Sequence, residues 1–298
     1  MGFEKFLSNK LNYPVDKYFA GIIGECPSKG ARSPLLWNKA FDFYKFPCQM
    51  IPLDVSIDNL SYLVNELKNN KKFIGGAVAV PHKVNIAKLM GKFLTKEAKS
   101  IGAVNALFRD DNFNLVGTNT DGEASRSSLI KKFGDISGRK VLILGDGGVA
   151  KAVAAYIATG VKESGKVLIA SRSNRISNEE KDLLGINEVM PYENIISLFS
   201  EIDIIINCTT VGSADQIEKS LLKIDQLKLL GSNTIIYDVI YNPSPTLLLR
   251  NAHKLGLRTL DGLDMNLEQA VLAFHYANKN FINDINKERI MESMKLSS

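Results

Sequence analysis

Short apolar runs alternate with amphipathic stretches along the first third of the chain. Helical patterns begin at about Ser33 and Asp58, and each lies between two apolar runs. The runs that are typical of buried strands are YFAGIIG (18–24), QMIPLDV (49–55) and FIGGAVAV (73–80). Strands that alternate with helices in this way form βαβ units, so the pattern predicts a mostly parallel sheet.

Residues 103–121 depart from this alternation. Two runs of alternating polarity flank the turn-forming residues Asp110, Asp111 and Asn112. Alternation on both sides of such a turn is typical of a β-hairpin. We therefore predict a hairpin here, followed by a turn at the sequence NTDG, 119–122.

A second alternating series follows the hairpin and predicts a separate doubly wound unit. Its predicted strands are KVLIL (140–144), KVLIAS (166–171), IDIIINC (202–208), TIIYDVI (234–240) and LRTL (257–260). A long apolar helical pattern then runs from about Asp264 to Ala277, and we expect it to pack on the first domain. The predicted fold class is α/β with two domains: residues 1–122 joined by C-terminal helices in 264–298, and a Rossmann-type domain at 123–263.

Composition and charge narrow the possible functions. Of the 298 residues 45% are hydrophobic and 23% charged, and no apolar run is long enough for a membrane span, so we expect a globular, cytoplasmic protein. The net charge is +5, with the lysines spread along the chain; this distribution argues against a nucleic-acid partner. Three widely spaced cysteines without a C-x-x-C pair predict neither a metal site nor a disulfide framework.

The sharpest local signal is the glycine-rich stretch after the predicted strand KVLIL. Gly145, Gly147 and Ala150 form the pattern G-x-G-x-x-A, which leads directly into an alanine-rich helix. The first glycine permits the tight turn, the second lets a pyrophosphate approach the backbone, and the helix N-terminus provides free N–H groups. The stretch therefore predicts a dinucleotide site that includes Gly148 and Val149.

The next strand indicates which dinucleotide is bound. An NAD site usually has Asp or Glu at the end of this strand, whereas this chain has Ser171, Arg172, Ser173 and, two residues on, Arg175. Two arginines and two hydroxyls suit a 2′-phosphate, so NADP is favoured over NAD. Asp146 lies within the glycine turn, where a carboxylate is unfavourable beside a phosphate unless it points to solvent.

Lys83 and Asp121 are the candidate catalytic residues because each follows a predicted strand of the first domain. The carboxyl edge of an open α/β sheet is where ligands bind. An ammonium group can donate a proton to an oxygen and stabilise its charge, while a carboxylate can orient the lysine and bond the same hydroxyl. The pair suits the interconversion of an alcohol and a ketone.

The order of motifs resembles that of the shikimate and quinate dehydrogenase family over nearly the whole chain. The matching motifs are Ser33-Pro34 with Asn38, VPHK (80–83), GAVNAL (102–107), NTDG (119–122), the glycine turn, INCTTVG (206–212), DVIYNP (238–243) and Gly262 through Gln269-Ala270. The resemblance implies an NADP-dependent oxidoreductase of aromatic amino acid biosynthesis, with a substrate domain preceding the dinucleotide domain. It implies that Lys83 and Asp121 are the catalytic pair, that Ser33, Asn105, Tyr241 and Gln269 hold the substrate, and that Thr209, Val239 and Gly262 contact the cofactor.

Departures from the family pattern concentrate in the expected substrate pocket. Ala31 replaces a serine that would bind the substrate carboxylate, and Ala77 and Ala79 replace an amide and a hydroxyl. Trp37 stands where the family commonly has histidine. In the stretch Ser171-Arg172-Ser173, where the 2′-phosphate is expected, Ser171 replaces the family's usual asparagine. Each lost polar partner costs about 1 to 3 kcal/mol in a site that would bond it, so we expect an altered substrate or a lower affinity.

Three hypotheses remain open at this point. The first is a shikimate dehydrogenase, and the second is a related enzyme that acts on quinate, an aminoshikimate or another cyclic acid. The third is a dinucleotide-binding protein without dehydrogenase activity, against which Lys83 and Asp121 argue. All three predict a small-molecule ligand, with the chain as a monomer or homodimer.

Overall fold

The computed structural model describes residues 2–13, 17–173 and 175–295. The chain divides into two compact units, each with its own sheet. Unit 1 comprises Met1–Thr120 and Leu267–Ser298, and unit 2 comprises Asp121–Asn266. Within the described ranges, no helix is both long and apolar enough to cross a membrane.

Unit 1 is built on a five-stranded mixed sheet with the strand order β2-β1-β3-β4-β5. Strands β1, β2 and β3 are parallel, and β4 and β5 form the predicted antiparallel hairpin. The strands are β1 (Tyr18–Gly24), β2 (Cys48–Asp54), β3 (Phe73–Val78), β4 (Ala106–Arg109) and β5 (Leu115–Thr118). The helices are α1 (Ser33–Phe43), α2 (Ile57–Asn69), α3 (Lys83–Met90), α4 (Lys96–Ile101) and α11 (Lys287–Lys295), together with α10 (Gly262–Asn278) from Leu267 onward.

Both faces of this sheet are covered by apolar side chains. On one face Phe19 and Ile23 pack with residues of α2 and α3. On the other face Ala20 and Ile22 pack with α1 and with Phe274 of α10. The alternation of side chains along β1 places them in two cores, which is the arrangement expected for a sheet buried on both sides.

Glycines in β3 let the backbones approach closely at the centre of the sheet. Gly76 has a φ of +149°, and a Cβ at this position would lie 1.9 Å from the carbonyl oxygen of Gly21 in β1. No larger residue fits there without moving a strand. The pair Gly75-Gly76 is therefore required by the packing of β3 between its neighbours.

Side-chain amides cover the free edge of β2. Asn38 of α1 accepts from the Met50 N–H (2.7 Å) and donates to the Met50 carbonyl (3.2 Å). Asn9 donates to the Pro52 carbonyl and accepts from the Asp54 N–H. These bonds replace the neighbouring strand that an open edge would otherwise recruit from another molecule. Asn38, which belongs to the family motif, thus has a structural role.

Unit 2 contains six parallel strands in the order β11-β10-β9-β6-β7-β8. Numbered within the unit, this is the doubly wound order in which the direction of winding reverses between β6 and β9. The strands are β6 (Lys140–Leu144), β7 (Lys166–Ser171), β8 (Glu188–Pro191), β9 (Ile204–Asn207), β10 (Ile235–Asp238) and β11 (Arg258–Leu260). The helices are α5 (Asp121–Phe133), α6 (Gly148–Val161), α7 (Asn178–Leu184), α8 (Ile224–Leu227) and α9 (Leu247–Lys254).

The predicted α/β fold with parallel sheets is confirmed, and two local predictions need correction. The bounds of β6 and β7 coincide with the predicted runs, whereas β8 was not predicted, because Glu188–Pro191 is short and only partly apolar. The predicted NTDG turn is wrong in its second half, since Asp121 and Gly122 already belong to α5. A Cβ on Gly122 would lie 2.3 Å from the Ala152 carbonyl oxygen, so this glycine permits close packing of α5 on α6.

Candidate active site

Lys83 lies just beyond the end of β3, as the first residue of α3. The turn before it is held by His82, whose ring is 1% exposed and whose Nε2 lies 2.8 Å from the Val55 carbonyl oxygen. That contact ties the turn to the segment after β2. A cation at a helix N-terminus is disfavoured by the helix dipole, and α3 has no acidic residue in its first turn. The position of Lys83 is therefore not explained by helix stability.

The segment 103–105 connects the ends of β3 and β5. The Val104 N–H donates to the Lys83 carbonyl (2.9 Å), and the Asn105 carbonyl accepts from the Val78 N–H (2.7 Å). The Asn105 N–H in turn donates to the Thr118 carbonyl (3.1 Å). The backbone of Lys83 and the end of the hairpin are thus bonded to the same short segment.

The Asn105 side chain is fully ordered by the residue that precedes Asp121. Its Oδ1 accepts from the Thr120 N–H (2.8 Å), and its Nδ2 donates to Thr120 Oγ1 (3.0 Å). Thr120 Oγ1 also lies 3.2 Å from the carbonyl of Gln269, and the Gln269 side chain makes a long contact of 3.5 Å with Asn105 Nδ2. The structure therefore brings together the predicted substrate residues Asn105 and Gln269, with Thr120 as a link that the sequence did not reveal.

Asp121 follows Thr120 directly and opens α5. Its side chain is 4% exposed. A carboxylate at this end of a helix is favoured by the helix dipole, in contrast to the lysine at the start of α3.

Except for Ser171 of β7, the departures from the family pattern lie in or against one apolar cluster of unit 1. Ser33, the retained serine, is the first residue of α1 and is 8% exposed. Trp37 is fully buried, with its ring edge-on to Phe274 at a centroid distance of 5.1 Å. Ala77 belongs to the same cluster, and Ala31 and Ala79 pack against it. The three alanines thus adjoin an apolar core.

The glycine turn of unit 2 has the geometry that a dinucleotide pyrophosphate requires. Gly145 has a φ of +112°, and Gly147 precedes α6, whose first residues are Gly148, Val149 and Ala150. A Cβ at Gly147 would meet no atom within 4 Å, so the space over the turn is open. The first N–H groups of a helix have no partner within the helix and bind phosphate well.

Other predicted cofactor residues lie at the same edge of the six-stranded sheet. A Cβ on Gly145 would lie 3.1 Å from Thr209 Cγ2, so Thr209 flanks the turn. A Cβ on Gly262 would lie 2.2 Å from the Val239 carbonyl, so these two backbones are in contact. The residues present therefore fit a dinucleotide with its pyrophosphate at the start of α6. Tyr241, two residues beyond Val239, is partly buried.

Asp146 is only partly exposed. It does not simply point to solvent, which is the orientation that would keep its charge away from a phosphate. Its Oδ2 accepts from Ser173 Oγ (2.7 Å) and from the Arg175 N–H (3.2 Å), and it is also bonded by the Ser171 side chain. Burial acts to raise the pKa of Asp146, but these bonds and the charge of Arg175 outweigh it and lower the pKa below its ordinary value. Arg172, Ser173 and Arg175 are themselves exposed.

A buried polar network orders the loops that carry Thr209 and Val239. Asn207, at the end of β9, accepts from Thr209 Oγ1 (2.8 Å) and donates to Asp238 Oδ1 (3.1 Å). Asp238, at the end of β10, also accepts from Thr246 Oγ1 (2.7 Å) and the Ile240 N–H (3.1 Å). Sequence reasoning missed this network, although a polar residue ending each of two adjacent parallel strands was a usable signal.

We expect Asp238 to make stability depend on pH. Burial raises its pKa to about 6, although the bonds from Thr246, Ile240 and Asn207 lower it. Because the folded carboxyl binds a proton more readily than the unfolded one, its contribution to stability is present below about pH 4 and is lost as the pH rises through 6. The free energy of unfolding of an Asp238→Asn variant, taken relative to that of the wild type, should therefore rise by about 2 to 3 kcal/mol as the pH is raised from about 4 to 7.

Urea unfolding at several pH values measures that difference. The matched control is Asp225→Asn, at an exposed carboxylate of α8 whose side chain is 84% accessible. It reports the effect of removing an exposed carboxylate, against which the effect at Asp238 is compared. If the difference for Asp238→Asn changes with pH no more than that of the control, the pKa of Asp238 is not raised on folding.

Among the described residues, no group of three or more His, Cys, Asp or Glu side chains could hold a metal ion. The site residues are instead Lys, Asp, Asn, Gln, Ser and Thr, which suit proton transfer and hydrogen bonding to hydroxyls.

Two family models match most of the chain. Residues 22–107 match the shikimate dehydrogenase substrate binding domain, and residues 128–238 match shikimate / quinate 5-dehydrogenase. The chain is 34% identical to the shikimate dehydrogenase (NADP⁺) of Caldanaerobacter subterraneus subsp. tengcongensis over 92% of this chain and 96% of that protein. It is 35% identical to the enzyme of the same description from Alkaliphilus oremlandii over 85% of this chain and 89% of that protein.

Solved structures agree with these sequence matches. A shikimate dehydrogenase in complex with NADP⁺ superimposes with a TM-score of 0.80 at 27% identity, covering 95% of this chain and 96% of that one. Shikimate 5-dehydrogenase from Listeria monocytogenes, in complex with shikimate and NAD, has a TM-score of 0.77 at 27% identity, covering 95% and 98%. With its sequence and fold in agreement, the chain belongs to the shikimate dehydrogenase family of oxidoreductases, which act on a CH–OH group.

Proposed function

We propose that the protein is an NADP-dependent shikimate dehydrogenase, which interconverts shikimate and 3-dehydroshikimate. NADP supplies the hydride acceptor for this chemistry when it is bound. The observation that carries the proposal is the open glycine turn at the edge of a doubly wound sheet, in a chain 34% identical to an NADP-dependent shikimate dehydrogenase along nearly its whole length.

Lys83 and Asp121 are the residues that carry out proton transfer in this proposal. The Lys83 ammonium bonds the reacting oxygen, stabilises negative charge on it and exchanges a proton with it. Asp121 accepts a hydrogen bond from the same hydroxyl and orients the lysine. The placements of the two charges support this assignment. Lys83 lies at a helix start, where the helix dipole disfavours a cation. Asp121 is a carboxylate that is only 4% exposed to solvent.

Ser33, Asn105, Tyr241 and Gln269 hold the substrate. Support is strongest for Asn105, because its amide is already oriented by Thr120 and needs no reordering when a ligand arrives. Ser33 offers one hydroxyl to the substrate carboxylate, with Ala31 unable to offer a second.

The alanines bear on affinity more than on the identity of the substrate. Ala77 and Ala79 adjoin an apolar cluster that contains Trp37, so their methyl groups pack against apolar side chains. The curated relatives reported above are named shikimate dehydrogenase (NADP⁺), which does not favour quinate. We therefore expect shikimate to be the substrate, with a KM raised by the missing contacts.

A panel of substrates and cofactors tests the proposal. Purified protein is offered shikimate, quinate and an aminated analogue, each with NADP⁺ and with NAD⁺, and formation of the reduced cofactor is followed by absorbance. Turnover should be fastest with shikimate and NADP⁺. Faster turnover of quinate or the amino analogue would support the hypothesis of a related enzyme with a different substrate. Binding of NADP⁺ without turnover of any compound would indicate a dinucleotide-binding protein.

A further inference from the structure

The hydrogen-bond donors after β7 are already engaged by a carboxylate of the protein. Asp146, in the turn after β6, accepts from the Ser173 hydroxyl (2.7 Å) and the Arg175 N–H (3.2 Å). The loop 171–175 is also where the sequence places the donors for the 2′-phosphate of NADP. A phosphate that binds this loop has to compete with Asp146 for the same donors.

The charges of Asp146, Arg172 and Arg175 also affect how strongly this loop attracts a phosphate. Arg175 lowers the pKa of Asp146, and Tyr192, whose pKa is raised mainly by burial, lies within the fields of both Asp146 and Arg172. Arg172 and Arg175 are exposed, so solvent weakens their attraction for an incoming anion. Asp146 cancels one of these two positive charges at the point where a phosphate dianion would bind.

A ribose without a 2′-phosphate meets a different environment. Its 2′-hydroxyl is a hydrogen-bond donor, and a carboxylate at this edge of the sheet is the usual acceptor in sites for NAD. In those sites the carboxylate ends the second strand, whereas here it comes from the glycine turn and is held against the second strand's loop by Ser173. Asp146 therefore offers NAD a contact that it denies to NADP.

We propose that Asp146 is a specificity-determining residue that weakens the preference of this dinucleotide site for a 2′-phosphate, so that the protein accepts NAD alongside NADP. The inference rests on the proposed function, since it concerns the cofactor of that same reaction. Because this loop is exposed, we take the dielectric constant of water, about 80, and repulsion between a carboxylate and a phosphate dianion about 5 to 6 Å apart then corresponds to about a tenfold change in affinity. The ratio of the two dissociation constants should thus depend on this one side chain.

Isothermal titration calorimetry with NADP⁺ and NAD⁺ tests the proposal without any turnover. Asp146→Asn keeps the shape of the side chain and removes its charge, and Asp146→Ala removes both in a small-residue turn. Each should bind NADP⁺ about tenfold more tightly than the wild type does, while the affinity for NAD⁺ stays the same or falls. Raising the salt concentration should reduce the gain for NADP⁺.

Asp225→Asn is the matched control, because it makes the same change in net charge at an exposed residue of α8 that pairs with Lys228. Its ratio of dissociation constants should equal that of the wild type. A ratio that stays within about twofold of the wild type in both Asp146 variants would overturn the inference while leaving the proposed function intact. Failure of the wild type and the variants to bind either dinucleotide would overturn both.

Discussion

Replacing Lys83 by alanine should lower kcat for shikimate oxidation by about 10²- to 10⁴-fold, the usual contribution of a positioned proton-transfer group. The reason is chemical, because alanine has no ammonium group to bond the reacting oxygen as its charge develops. The substitution should lower kcat more than it changes the dissociation constant of NADP⁺. The pyrophosphate of the cofactor is expected at the glycine turn around Gly147, and Lys83 does not belong to that turn.

Lys88 supplies the matched control for this substitution. It lies on the same helix, α3, and is exposed, so Lys88→Ala removes an identical charge without touching the candidate site. Its kcat should equal that of the wild type. Thermal unfolding of both variants checks the fold, and a Lys83→Ala enzyme that keeps kcat within about threefold would exclude Lys83 from proton transfer.

Replacing Arg109 by methionine should destabilise unit 1 by about 3 to 5 kcal/mol, as the loss of a fully bonded buried charge typically does. Arg109 is 2% exposed, and each of its five N–H groups reaches a backbone carbonyl. Nε donates to Phe73, and the two terminal nitrogens donate to the carbonyls of Leu67, Lys68, Asn70 and Phe113. Three of these carbonyls end α2, where a cation also stabilises the helix dipole.

Burial lowers the pKa of Arg109 to about 10, so the guanidinium remains charged at neutral pH. Arg109→Lys keeps a charge but has three donors for five carbonyls, and its loss of stability should be intermediate. The control is Arg139→Met, which breaks a partly exposed ion pair with Asp203 and should cost less than about 1 kcal/mol. Urea unfolding measures all three, and equal losses at Arg109 and Arg139 would contradict the structural role of Arg109.

Arg109 also shows where prediction from the sequence ends. The alternation around Asp110-Asp111-Asn112 was enough to predict the hairpin, because side-chain periodicity and turn chemistry are local properties. The sequence RDDN reads equally well as a solvated turn, since the carbonyls that bury the arginine belong to residues some 40 positions earlier. Contacts between distant segments leave no periodic signal.

The candidate site divides in the same way. Lys83 and Asp121 were predicted because each follows an apolar run, and the structure places them at the starts of α3 and α5. Thr120 was missed, because its role depends on the amide of Asn105 reaching it across the hairpin end. Asp146 was recognised as unfavourable in its turn, but its partners could not be read from spacing, because they lie 27 and 29 residues away along the chain.

The sequence by itself determined the α/β class, the strands β6 and β7 to the residue, the glycine turn and the two charged residues that follow strands of the first domain. Each of these depends on local periodicity, turn geometry or residue size. Tertiary structure alone decided that Asp146 accepts hydrogen bonds from Ser173 and Arg175 in the loop after β7, that Arg109 caps α2, and that Trp37 and the alanines share an apolar cluster. The physical reason is that hydrogen bonding and burial depend on which distant segments meet, and that is settled only when the sheets are formed.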